Sequence, residues 1–179
     1  MTSAENVTDE NRRKISILKG IPFFQPFTEE ELAYLTRESL WVKGSSGQTI
    51  LREGSTDCAF FIVLKGNVCV RKKGVGTVNL STLGTGDCFG EMSVITGEPR
   101  SAEIVANQET YLLQIDGKML NAESDQLILK SIQLKFYKIF ARILSSRLET
   151  ANKQRSHGDS SRLDSPYKQR AQEDGSKWR

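Results

Sequence analysis

The 179 residues are 37% hydrophobic and 26% charged, which is apolar material enough for a single core. The net charge of +3 sits at one end: residues 151–179 carry seven Lys or Arg and four Asp or Glu, whereas the preceding 150 carry 18 of each sign. The expected folded part is thus neutral, and its composition gives no nucleic-acid signature.

Cys58, Cys69 and Cys88 are odd in number and unpaired in spacing, which excludes a disulfide framework and leaves small buried or half-buried thiols. The polar N-terminus lacks the apolar run of a secretory signal, and no stretch approaches ~18 consecutive apolar residues. A reducing cytoplasm is the expected location.

Along the chain, residues 1–10 read as a disordered polar N-terminus. Asn11 to Lys19 fits a short helix carrying Ile15, Ile17 and Leu18. Thr28-Glu29-Glu30-Glu31 has the spacing of a capping box and predicts a helix from Thr28 to about Glu38, with Leu32 and Leu35 on one side.

From Leu40 the texture changes to short apolar runs punctuated by glycines at 44, 47, 54, 66, 74, 76, 84 and 86. Strands are expected at 41–42, 49–51, 60–64, 68–70, 78–83, 102–105 and 111–115. Many short strands with regular turns predict a sandwich or jelly roll. The triplet Arg71-Lys72-Lys73, just before Gly74 and Gly76, reads as a solvated hairpin tip.

Beyond Gly117 the pattern reverts to helix. Residues 125–153 contain no Gly or Pro and are good helix formers. Apolar residues at 129, 132, 136, 139 and 143 form one stripe, and Tyr137, Phe140, Leu144, Leu148 and Ala151 a second. A surface helix needs only one. The second stripe therefore predicts a lid role, a homodimer contact or a partner protein. Residues 155–179 read as a disordered polar tail, and it holds the only histidine, His157.

The stretch from Phe89 to Ala102 is the most informative. It sets the Glu91 carboxylate and the Arg100 guanidinium a short loop apart, with the small residues Gly90 and Ala102 leaving backbone N–H groups open. A carboxylate accepts from sugar hydroxyls, and a guanidinium clamps a phosphate. Glu91 to Ile95 fits one helical turn whose free N–H groups face an anion. A ribose closed onto its own phosphate asks for both groups at that separation.

This stretch resembles the phosphate-binding cassette of the cyclic nucleotide-binding domain family, which includes the catabolite activator protein and the regulatory subunit of cyclic-AMP-dependent protein kinase. The family pattern Phe-Gly-Glu-(Leu/Met), a few residues, then Pro-Arg-(Ser/Ala)-Ala reads here as Phe89-Gly90-Glu91-Met92 and Pro99-Arg100-Ser101-Ala102. Ile21-Pro22-Phe23-Phe24, Arg52-Glu53-Gly54-Ser55 and Val63-Leu64-Lys65-Gly66 extend the likeness over roughly residues 15–150.

The resemblance implies a jelly-roll β-barrel at about 40–115, flanked by N-terminal helices, a short helix in the cassette and C-terminal helices at about 117–154. The whole domain would span 11–154. It implies cyclic AMP or cyclic GMP as ligand. Glu91 would accept from the ribose 2′-OH, Gly90 would offer its N–H, Arg100 would neutralise the phosphate, and Ser101 would add its N–H. Met92 and Ala102 complete the cassette.

The purine is expected against Leu51, Val70, Leu80 and Leu83, each equally a plain core residue. Arg142, Ser145 and Ser146 lie in the region of the lid. Glu103 departs from the family, which carries Thr, Ser or an apolar residue there; normal alternation turns it to solvent.

Competing readings fail on residues. Gly84-Thr85-Gly86-Asp87-Cys88-Phe89-Gly90 has its third glycine one position late for a dinucleotide fingerprint, and no long helix follows. One histidine and scattered cysteines cannot supply a metal site, so neither a jelly-roll metalloenzyme nor a resident metal or cofactor is expected. The 25 residues after Gln154 are too few for a winged-helix DNA reader. The expected role is a stand-alone, non-catalytic sensor whose long helix transmits ligand occupancy. The alternative is a degenerate scaffold for dimerisation or docking.

Overall fold

In the computed structural model, which describes residues 3–74 and 76–160, helices bracket two four-stranded antiparallel sheets. Helix α1 (Ser3–Lys19), a 3-10 turn (Pro22–Phe24) and α2 (Glu29–Glu38) lead into the strands. These are β1 (Leu40–Gly44), β2 (Thr49–Leu51), β3 (Ala59–Lys65), β4 (Asn67–Gly74), β5 (Gly76–Gly84), β6 (Cys88–Phe89), β7 (Glu103–Ala106) and β8 (Thr110–Asp116). Helix α3 (Glu91–Thr96) lies between β6 and β7, and α4 (Lys118–Asn121) and α5 (Leu127–Ser160) follow. Among the described residues, those up to Lys138 form one compact unit and those from Ile139 a second.

The strand orders β1-β8-β3-β6 and β2-β7-β4-β5 interleave early and late strands, as a jelly roll does. The strands form two sheets rather than one closed ring. Their inner faces meet in a core to which one contributes Phe61, Val63, Phe89 and Leu112, and the other Leu51, Val68 and Ile104. The seven expected strands are all present, six of them within two residues at each end, and β4 runs four residues past its expected end at Val70. The eighth, β6, is only two residues long, too short to show a period. Its Phe89 is the register partner of Phe61, and the two rings stack with centroids 5.2 Å apart.

The capping box is complete. Glu31 N–H donates to Thr28 Oγ1 at 3.3 Å and Thr28 N–H to Glu31 Oε2 at 2.7 Å. Glu31 then does more than cap: Ser131 Oγ donates to its Oε1 at 2.6 Å and Lys135 Nζ to its Oε2. This ties the first turns of α5 to α2. Beside it, Phe136 packs against Phe23, Phe27 and Phe60.

Two boundaries differ from expectation. Helix α1 begins at Ser3, ahead of the expected start at Asn11; Asp9–Arg12 and Glu10–Lys14 pairs at helical spacing support it. Helix α5 continues to Ser160, past Gln154, and the rest of the expected tail lies outside the described residues. Arg71 and Lys72 do precede a hairpin, with Gly74 opposite Gly76.

Candidate cyclic nucleotide site

Gly90 sits between β6 and α3 at φ +83°, a conformation that glycine adopts without steric cost. Space demands it too. A Cβ there would lie 2.8 Å from Arg100 Nη1, 3.0 Å from the Ala59 carbonyl and 3.3 Å from Leu51 Cδ1. Gly90, Arg100 and Leu51, flagged separately in the sequence, are thus immediate neighbours.

Arg100 is held from both backbone and side chain. Its N–H donates to Ser55 O at 2.9 Å and its carbonyl accepts from Gly54 N–H at 2.8 Å, so the glycine turn after β2 pins the cassette's far end. The side chain is 3% exposed. A buried guanidinium must find acceptors. Nη1 donates to Gly90 O at 2.7 Å, Nε to Asp57 Oδ2 at 3.4 Å, and Nη2 to both Asp57 Oδ1 and Ala59 O.

Asp57 was not legible as a site residue, because its partner lies 43 positions away. Burial alone would raise its carboxyl. Donors from Arg100 and Ser55 outweigh that and hold it below the usual carboxylate range.

Glu91 opens α3 and is 1% exposed, whereas Met92 beside it is 44% exposed. Ser101 is exposed and Ala102 half-buried. Ile104 belongs to the inner core, so alternation puts Ala102 on the inner face and Glu103 on the other, opposite Arg71 in register.

Among the expected base contacts, Leu51 is a core member, and Val70 and Leu83 pack on that core half-buried. Leu80 is the extra residue of a bulge: Val70 pairs with Ser81 and Arg71 with Asn79, leaving Leu80 without a partner and 55% exposed. Arg142, Ser145 and Ser146 are exposed positions of α5 in the second unit.

Glu91 and Arg100 are both buried, and neither lines the hollow of about 750 Å³ beside Asp57 and Ala59.

No group of three or more potential metal ligands occurs among the described residues, and none of their helices is long and apolar enough to cross a membrane.

Residues 42–126 match the family model described as Cyclic nucleotide-binding domain. The chain is 27% identical over 139 residues to a cGMP-dependent protein kinase of Eimeria tenella, covering 72% of this chain and 14% of the kinase. It is 29% identical over 112 residues to a cAMP-dependent protein kinase regulatory subunit of Blastocladiella emersonii, covering 61% of this chain and 28% of that protein. The chain thus spans less than a third of these relatives.

Among solved structures, the Thermus thermophilus catabolite activator protein superposes with a TM-score of 0.63 at 26% identity, over 77% of this chain and 63% of that one. The two-sheet fold agrees with the matched span, and residues 42–126 are similar to the cyclic nucleotide-binding domain family.

Proposed function

We propose that residues 11–154 are a non-catalytic sensor for a 3′,5′-cyclic purine nucleotide, cyclic AMP or cyclic GMP. The observation that carries this reading is the preparation of Arg100. Among the described residues its guanidinium makes four donor contacts, one fewer than its five N–H groups. Asp57 grips one edge and leaves an Nη1 hydrogen for a phosphate oxygen. The charge stays buried beside Gly90, where an anion gains most from it.

In this reading Glu91 takes the ribose hydroxyl, Ser101 adds an N–H, and Leu51, Val70 and Leu83 meet the purine. Helix α5 carries the signal by shifting between two pre-existing positions as ligand enters.

Its recipient is a second copy or a partner protein. Exposed Leu127 and Leu134 stand seven residues apart and Leu148 fourteen further on, with Ala141 between; this heptad register is that of a coiled-coil seam and supports a homodimer. Light scattering should then give twice the monomer mass; a monomer at high concentration, with and without ligand, rules this out.

Calorimetry with cyclic AMP and cyclic GMP tests the sensor. Saturable binding is expected for at least one. Arg100→Lys, which keeps the charge but loses the fork, should weaken it about a hundredfold with the fold intact by circular dichroism. A degenerate docking scaffold is favoured by one observation: the protein itself already engages Arg100 on both edges. No heat with either nucleotide would establish that reading instead.

A further inference from the structure

The hollow beside Asp57 has a chemistry of its own. It opens where β1, β3 and β8 reach the same end of the sheet. Leu40 and Phe61 are both register partners of Gln114, and Ala59 is the partner of Asp116. Adjacent strands lie about 4.8 Å apart, so these side chains make a continuous floor.

Leu112, two residues before Gln114, is inside the core. Alternation therefore puts Gln114 and Asp116 on the same inner face, where a closed sandwich would carry apolar residues. Gln114 is half-buried, and its side chain has no hydrogen-bond partner among the described residues. A half-buried amide at the base of the hollow can offer a donor and an acceptor to a ligand's polar group. Leu40, 63% exposed, is left uncovered beside it.

The rim carries both signs. Arg52 and Lys118 line it and have no carboxylate partner among the described residues. Asp116 and Glu38 line it as well. Asp116 accepts only the backbone N–H of Lys118, and Glu38 only its exposed neighbour Arg37. The third carboxylate, Asp57, is already committed to Arg100. Arg52, Lys118 and Asp116 have no ion-pair partner among the described residues, and Glu38 is held only by an exposed neighbour; around an apolar floor they match a molecule that carries both signs on a short apolar body.

We propose that this hollow binds a small zwitterion with an apolar side group, the chemical class of free aromatic and branched aliphatic amino acids. Its ammonium meets Asp116 and Glu38, its carboxylate meets Arg52 and Lys118, and its side group lies over Leu40, Ile50 and Phe61. The volume, about 750 Å³, lies in the range of small-molecule sites. The site excludes Glu91 and Arg100, so the proposal does not rest on the cyclic nucleotide reading.

The test is a titration of the full chain with L-phenylalanine, followed by amide chemical shifts in two-dimensional NMR. Phenethylamine and 3-phenylpropionate, each keeping one charge, serve as comparisons. Saturable shifts at Leu40, Ala59, Gln114 and Lys118 are expected with phenylalanine, and about tenfold weaker binding for either singly charged analogue. Arg52→Gln and Asp116→Asn should each weaken phenylalanine by about tenfold without changing the melting temperature. Absence of saturation at millimolar phenylalanine, equal binding of all three compounds, or shifts elsewhere on the chain would overturn the proposal.

Discussion

Asp57 and Glu31 are two carboxylates held for different ends, and both titrate abnormally. Burial opposes the charged form of Glu31, but Lys135, Ser131 and the Thr28 N–H outweigh it and lower its pKa; Asp57 is lowered in the same way by Arg100 and Ser55. A carboxyl depressed on folding adds stability that is complete above its unfolded value, about 4. That stability drains away as pH falls through the lower folded value, because the unfolded chain takes up the protons first. Thermal melts should therefore lose stability progressively below about pH 4, and the loss should be smaller in Glu31→Gln. At neutral pH Glu31→Gln should itself cost about 2–3 kcal/mol, since Lys135 then faces a neutral amide. An equally steep acid loss in that variant would remove Glu31 from the account. At Gly90 the backbone speaks for itself: Gly90→Ala must accept φ +83° and a Cβ against Arg100 and the Ala59 carbonyl. A loss of at least about 1–2 kcal/mol, read by denaturant unfolding, is expected.

At the scale of elements, what could be read from the chain was whatever depends on near neighbours. Thr28 and Glu31 announce a helix start because a capping box needs only three residues, and it is present. Seven strands announce themselves by apolar runs between glycines. Cys88–Phe89 could not, since two residues carry no period and the strand exists only through its pairing with Phe61 and Ile62. The helical stretch before Asn11 was missed for the opposite reason: it has no apolar stripe, and its visible support is charge spacing. The cassette's composition was plain, whereas Asp57, which fixes Arg100, was hidden by distance along the chain. Glu31 was seen as a cap but not as the anchor of α5, a contact across 104 positions. The aromatic cluster beside that anchor gives the element-scale prediction. Phe136 is fully buried among Phe23, Phe27 and Phe60, so Phe136→Ala should cost about 3–5 kcal/mol. Exchange protection should fall together in α2 and the first turns of α5; protection lost in only one of them would mean the two elements are not coupled through this cluster.

For the whole molecule, the open question is where the folded domain stops. The family match ends at residue 126, one residue before α5 begins, so the likeness alone does not define the helix's role. Among the described residues of α5, Leu129, Ile132, Phe136 and Phe140 are buried, and those from Ser145 to Thr150 are exposed. The charge excess lies further on, in residues 151–179, while the first 150 residues are balanced. A chain shortened to end at Gln154 should keep its melting temperature and its cyclic nucleotide affinity, because residues 155–179 are polar with few apolar anchors. What it should lose is charge: residues 155–179 carry six Lys or Arg against four Asp or Glu, a net +2. Retention on a cation exchanger at neutral pH should fall accordingly. If affinity or melting temperature drops instead, the segment beyond Gln154 belongs to the domain, and the proposed boundary must move toward the C-terminus.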